Sequence, residues 1–288
     1  MTDGHLLGKY LATVGTGDQA GASLLHGQFH DVVMLDDIVY RFPRDDESRR
    51  LLPSRIALLR ILQGAELPVA IPGVLSDAAV GDPLGLCHVA LQRVAGQPIE
   101  LEQLAGAAPQ PGLVTDLALL LERLLELGAD AAIQEAAPRA DQHSWQRFAG
   151  QVTDVLFPLM SRQGRERAEA ELNRVEQVDP TGNALVHGDL GGANLLWTFS
   201  GPEARLAGVL DWDGACIGSQ ADDLASIAVT VGWQLAGQVD AKRHDGDTPT
   251  IADAKAITAT FALQQALPAA LSGDRVALDD GLTSYRAR

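Results

Sequence analysis

The apolar pattern changes character at Gly96-Gln97-Pro98, and that change limits the fold more than any other feature of the chain. Before it lie short runs of β-type composition at residues 22–25, 31–35 and 38–42. The stretches His26-Gly27-Gln28-Phe29-His30 and Asp36-Asp37 read as turns between them, so three antiparallel strands are expected. Leu51, Leu52, Ile56, Leu58, Leu59 and Leu62 then recur at helical spacing over residues 48–62, with Gly64 as a stop signal. Further strands are expected at residues 69–75 and 88–94. Beyond the change, residues 113–127, 145–160 and 165–175 carry helical patterns. A β island follows at residues 184–187, 195–199 and 205–211, and helices return at 221–235, 251–271 and roughly 276–286, with a polar loop at 240–250.

This order gives an α+β chain in two lobes. A small N-terminal lobe, residues 1–95, has an antiparallel sheet plus one helix. A larger, mainly helical C-terminal lobe, residues 96–288, carries a short β insert. The charge is divided unevenly: 11 acids and 8 bases in residues 1–97, against 27 acids and 14 bases in residues 98–288. A net charge of −16 argues against a nucleic-acid partner. Two distant cysteines, Cys87 and Cys216, give no disulfide framework and no metal-type spacing. No signal pattern or membrane span is read, so a cytoplasmic protein is expected. The sequence leaves monomer and homodimer open.

The chemistry concentrates in Leu185-Val186-His187-Gly188-Asp189-Leu190-Gly191-Gly192-Ala193-Asn194-Leu195-Leu196, where a strand ends in a glycine-rich loop and a second strand begins. Such a loop aims Asp189 and Asn194 into one cleft. Seventeen residues later the next strand ends in Asp211-Trp212-Asp213, which sets a carboxylate opposite the Asn194 amide. Both are hard oxygen ligands suited to Mg²⁺. Phosphoryl transfer needs such a set: an acid to orient the attacking hydroxyl, oxygen ligands for metal, and a cation on the phosphates. His187 is read as a structural residue that holds Asp189 in place. Asp213 is left open between a metal or substrate contact and a solvated acid. Trp145, Trp212 and Trp233 are read as packing residues.

Residues 187–194 together with Asp211-Trp212-Asp213 resemble the catalytic loop and metal-binding motif of the aminoglycoside phosphotransferases and related small-molecule kinases. The resemblance implies a two-lobed, protein-kinase-like fold that uses ATP or GTP with Mg²⁺. Asp189 is then the catalytic base, and Asn194 and Asp211 are the metal ligands. Asp223, in Asp222-Asp223-Leu224-Ala225, then braces the catalytic loop. Val39-Tyr40-Arg41-Phe42-Pro43-Arg44 is similar to the third strand of the first lobe, and Leu91-Gln92-Arg93-Val94-Ala95-Gly96 to the hinge, where the Gln92 and Val94 backbones meet the adenine. The Gly27 loop is a candidate cover for the phosphates, with a plain hairpin turn as the alternative.

The sequence departs from that family at one point. Arg41 stands where a phosphate-binding lysine is usual, and Arg55 where its glutamate partner is usual. Arg41 still suits phosphate, because guanidinium is always charged and forks onto two oxygens. Arg55 cannot position it, and Asp45, Asp46 and Glu47 are the candidate substitutes. The resemblance implies a small-molecule hydroxyl acceptor, aminoglycoside-like, and the negative second lobe is compatible with a cationic one. Kinases of another small metabolite or of macrolides, and a nucleotide-binding pseudokinase without turnover, are the alternatives. A hydrolase is set aside, since no Gly-x-Ser-x-Gly elbow occurs.

Overall fold

The structure, a computed structural model, describes residues 3–15, 21–27, 29–76, 86–99, 110–200, 203–243 and 251–286. Strands β1 (Ser23–His26), β2 (His30–Met34), β3 (Ile38–Pro43) and β4 (Val89–Gln92) form one antiparallel sheet in sequence order. Side chains alternate between the faces of a strand. Tyr40 and Phe42 of β3 therefore join Val33 and helix α1 (Asp3–Thr13) on one face, where the Tyr10 and Phe42 rings stack 4.0 Å apart. Val39 and Arg41 take the other face, opposite Leu91 and Val89 of β4.

That second face is covered by α2 (Asp46–Gln63), which buries Leu52, Ile56, Leu59 and Leu62. Asp45 caps the helix, its side chain accepting from the Ser48 N–H at 2.6 Å, a bond worth about 1 kcal/mol. Gly64 closes the other end. Strand alternation and helix periodicity thus place Arg41 and Arg55 on the same side of the sheet.

The expected strand at residues 69–75 is not formed. Ala70 and Val74 make only isolated bridges, to Gly208 and Leu91. Pro72, which lacks an N–H, interrupts the run between them. Helix α1 was not expected, although Leu6, Leu7, Tyr10 and Leu11 follow a helical period.

The larger lobe is organised around α3 (Pro111–Leu127). Its Leu113, Leu117, Leu120, Leu121 and Leu124 are all fully buried, each contributing about 1.5–3 kcal/mol relative to exposure. Around it lie α4 (Ala131–Ala136), α5 (Ser144–Val155) and α6 (Arg162–Val175). Helix α5 stops short of the expected residue 160, because Pro158 sits in a 3₁₀ turn, Phe157–Leu159, that cannot continue its bonding. The β insert is two antiparallel pairs: β5 (Ala184–Val186) with β8 (Cys216–Gly218), and β6 (Leu195–Ser200) with β7 (Glu203–Val209). Strand β8 is too short for a sequence pattern to mark.

Three expected helices are each broken, that at 276–286 by Leu282. Gly232, at φ +85°, separates α7 (Ala221–Val231) from α8 (Trp233–Lys242). Thr260 separates α9 (Ile251–Ala259) from α10 (Phe261–Ser272), its hydroxyl donating to the Ile257 carbonyl. The expected 240–250 loop begins later than read, since α8 runs to Lys242; residues 244–250 lie outside the described residues. Helices α11 (Arg275–Gly281) and α12 (Thr283–Arg286) end the chain, with the Tyr285 hydroxyl donating to the buried Glu171.

Among the described residues, backbone hydrogen bonds tie two segments to the β6–β7 ribbon: the first lobe at Ala70 and the chain just past the lobe boundary at Gln97. Ala70 donates to Ala207 and accepts from Val209, while Gln97 and Trp197 exchange both bonds. Gly96 lies in this second junction at φ +125°, where a Cβ would come within 2.9 Å of the Leu196 side chain. Only glycine meets both demands. Among the described residues no helix is long and apolar enough to cross a membrane.

Candidate active site

Strand β5 delivers the chain at Val186 into the loop 187–191, and a 3₁₀ turn, Gly192–Asn194, leads it into β6. Gly188 takes φ +85°, a left-handed conformation that L side chains resist. Asp189 is exposed at the head of this loop. The Asn194 Nδ2 donates to the Asp189 carboxylate at 2.8 Å and to its carbonyl at 3.0 Å. A carboxylate only accepts, so the amide nitrogen must face it, and Asn194 Oδ1 remains as a hard oxygen donor.

Three buried groups hold the loop. The ring of His187 is wholly buried; its Nδ1 accepts from the Asp189 N–H at 3.2 Å, and its Nε2 donates to the Leu210 carbonyl at 2.8 Å. Burial lowers its pKa, and one accepting and one donating nitrogen are what neutral imidazole offers. The bond to Leu210 stitches Asp189 to the residue before Asp211, as does the Leu210 N–H bond to the Asn194 carbonyl at 2.8 Å. Asp223, in the first turn of α7, accepts from the His187 and Gly188 N–H groups at 3.0 and 2.9 Å. Burial pushes its pKa up to about 7, against the pull of those two donors. Thr230, two turns further along the same helix face, takes the Gly192 N–H at 2.6 Å.

Asp211 follows β7 with φ +55°, the left-handed region that Asp and Asn tolerate better than other side chains. Strained backbone of this kind concentrates at functional sites. The turn Trp212–Gly214 comes next, pinned by Trp212, which is buried, donates to the Val209 carbonyl at 3.2 Å and meets His187 edge-on. Asp211 and Asp213 then both face Arg41. Its Nη2 donates to Asp211 Oδ1 at 3.0 Å and Asp213 Oδ2 at 2.9 Å, and its Nη1 to Asp213 Oδ1 at 3.2 Å. Arg55 reaches Asp213 Oδ2 at 3.3 Å.

The acid between the two arginines therefore comes from the second lobe, not from the head of α2. Asp45 caps that helix, and Asp46 and Glu47 pair with Arg49 and Arg50. His30 lies against the same cluster, its Nδ1 accepting from Arg41 Nη2 at 3.1 Å. Burial and the Arg41 charge push its pKa down to about 4, so the ring is neutral near pH 7.

The remaining expected nucleotide contacts lie on the first lobe. The Gly27 N–H donates to the His30 carbonyl, and its own carbonyl accepts from Arg44. Both backbone groups of Gly27 are thus engaged in the hairpin, and Gln28 lies outside the described residues. The hairpin is further tied by Asp31, which pairs with His26 at 2.7 Å and accepts from the Tyr10 hydroxyl at 2.5 Å. At the hinge the Gln92 N–H donates to the Gly73 carbonyl. Val94 packs its side chain over Gly208 of β7.

Sequence reading missed His30 and Thr230 as parts of this site, and placed Arg55 beside Arg41 without its acid partner Asp213. The signal for Arg55 was its position on the sheet-facing side of α2. His30 and Thr230 carried no signal outside their tertiary contacts.

A donor pair of Asn194 Oδ1 and the half-exposed Asp211 carboxylate suits a hard divalent cation that takes its other ligands from water and phosphate. Among the described residues no cluster of three or more His, Cys, Asp or Glu offers a protein-only cage.

Residues 23–257 match the family model described as the phosphotransferase enzyme family (APH). The viomycin phosphotransferase of Streptomyces vinaceus is 40% identical over 271 residues, 94% of each chain. The GDP and kanamycin complex of APH(2")-IIia aligns with a TM-score of 0.81 at 21% identity, covering 98% of this chain and 97% of that one. The streptomycin–ATP–APH(2")-IIa ternary complex aligns with a TM-score of 0.69 at 17% identity, covering 99% and 96%. The structures share the two-lobed fold; the matched family model and the viomycin phosphotransferase relative carry the assignment. This chain belongs to the phosphotransferase enzyme family.

Proposed function

We propose that this protein transfers the terminal phosphoryl group of a nucleoside triphosphate to a hydroxyl of a small cationic antibiotic. The observation that carries the reading is the convergence of Asp189, Asn194 and Asp211, joined through Asn194 Nδ2, His187 and Leu210. Residues 1–95 are the nucleotide lobe, and residues 96–288 hold the catalytic loop and the acceptor site. The base lies at the hinge, against the Gln92 carbonyl and the Val94 backbone, and the Gly27 hairpin covers the phosphates.

The exposed Asp189 carboxylate orients the acceptor hydroxyl and takes its proton. The hydroxyl oxygen bonds to the terminal phosphorus as the bridging P–O bond breaks, and the nucleoside diphosphate leaves. Asn194 keeps the Asp189 side chain from rotating away during this step. Arg41 contacts the phosphate oxygens. A divalent cation on Asn194 Oδ1 and Asp211, Mg²⁺ in the proposal, supplies charge neutralisation on those oxygens when bound.

The acceptor is proposed from two facts: viomycin is the substrate named for the 40% identical relative, and the second lobe carries most of the net negative charge. The test is transfer of labelled phosphate from Mg·ATP and Mg·GTP to viomycin and to kanamycin and streptomycin. Asp189→Asn should abolish transfer while leaving nucleotide affinity within about threefold, because the base acts on the acceptor. Full activity in that variant contradicts the assignment. Nucleotide binding without transfer to any acceptor favours a binding protein over an enzyme.

A further inference from the structure

Arg41 and Arg55 stand on facing elements, β3 and α2, and would repel each other directly. What separates them is Asp213, whose two oxygens receive three N–H groups: both Arg41 Nη atoms and Arg55 Nη1. The side chains of Arg41, Asp213 and Arg55 are only 15%, 16% and 21% exposed, so solvent screens them weakly. The same three side chains, with Asp211, line a cavity of about 20 Å³ whose apolar wall includes Leu52, Ile56, Leu59 and Leu91. It has room for about one water.

The two acids on Arg41 differ. Asp211 makes one contact and is 48% exposed. Asp213 makes a forked contact, is nearly covered, and is itself held by Arg55. Its turn is fixed by the buried Trp212. A fork onto a planar guanidinium sets the orientation of the whole group.

We infer that Asp213 is a positioning residue that aims Arg41 at the nucleotide phosphates, and that Arg55 acts through Asp213 by holding it in place. The carboxylate that orients the phosphate-binding cation is thus supplied by the second lobe, and the first lobe offers a second cation to hold it. This rests on the reading that Arg41 meets the phosphates.

The test measures Mg·ADP affinity by titration calorimetry in the full chain, with thermal melts to verify folding, for Arg41→Leu, Asp213→Asn, Arg55→Leu, Arg55→Lys and the Asp213→Asn/Arg55→Leu pair. Asp213→Asn should weaken binding about tenfold, since the forked charge-assisted contact is lost at constant volume. Arg55→Leu should weaken it about threefold to fivefold alone, and less than about twofold more in the Asp213→Asn background, because coupled residues are not additive. Arg55→Lys should stay close to wild type.

An Asp213→Asn variant that binds as wild type, while Arg41→Leu does not, overturns the inference and leaves the phosphate reading standing. Equal losses for Arg55→Leu in both backgrounds also overturn it, since Arg55 then acts independently of Asp213. An Arg41→Leu variant with unchanged affinity removes the phosphate reading itself, and the inference with it.

Discussion

Replacing His187 by Phe removes both polar contacts of the ring and keeps its bulk against Trp212. The Leu210 carbonyl loses its 2.8 Å donor and the Asp189 N–H its 3.2 Å acceptor. A net hydrogen bond is worth about 1 kcal/mol, and a buried polar group left unpaired costs about 1–3 kcal/mol more. The Leu210 oxygen lies in part-buried surroundings and bears most of this, whereas the Asp189 amide, on an exposed loop, finds water. The expected loss is about 2–4 kcal/mol. At about 2–4 °C per kcal/mol for a chain of this size class, the melting temperature falls by about 4–16 °C. Urea unfolding should show a lower midpoint with an unchanged slope. The same two bonds fix Asp189 relative to Asp211, so kcat should fall about tenfold or more with a smaller change in nucleotide KM. A variant with the wild-type midpoint and kcat would refute the claim that this imidazole ties the loop to the strand.

Two other outcomes follow from the same geometry. Asp211→Asn keeps a residue that tolerates the left-handed backbone, so it isolates the carboxylate charge. Nucleotide affinity measured with and without Mg²⁺ should lose most of its metal dependence, and an unchanged dependence removes Asp211 from the metal site. Asp222, desolvated by burial, has its pKa raised from 3.8 to about 6. For a carboxyl raised on folding, stability is fully present below about pH 4 and is lost as pH rises toward 6. Asp222→Asn should therefore match wild type near pH 4 and exceed it by up to about 3 kcal/mol near pH 7, at about 1.4 kcal/mol per pH unit. Melting temperatures across pH 4–8 check this; a pH-independent difference contradicts it.

The sequence carried the elements whose signals are local. The helix Pro111–Leu127 announced itself by leucines at helical spacing, and the loop at Asp189 by glycines between two apolar runs. The breaks at Gly232 and Thr260 were harder. Gly232 is a visible glycine in an apolar stretch. Thr260 gives no local warning, because its break is set by what the flanking helices pack against. The charge partner of Arg41 was not legible at all. Asp213 lies 172 residues away, in a turn whose side-chain direction depends on where Trp212 is buried. The nearby acids Asp45, Asp46 and Glu47 had better sequence proximity, yet helix capping and i,i+3 pairing already occupied them.

The two backbone junctions, at Ala70 with Ala207 and Val209 and at Gln97 with Trp197, also govern how the cleft can open. Main-chain bonds keep their register, so one lobe cannot slide along the other. Relative motion is confined to rotation about the β6–β7 ribbon, which serves as a fulcrum. Displacement grows with distance from that axis. The cleft therefore widens most far from the ribbon and stays nearly constant in width beside it.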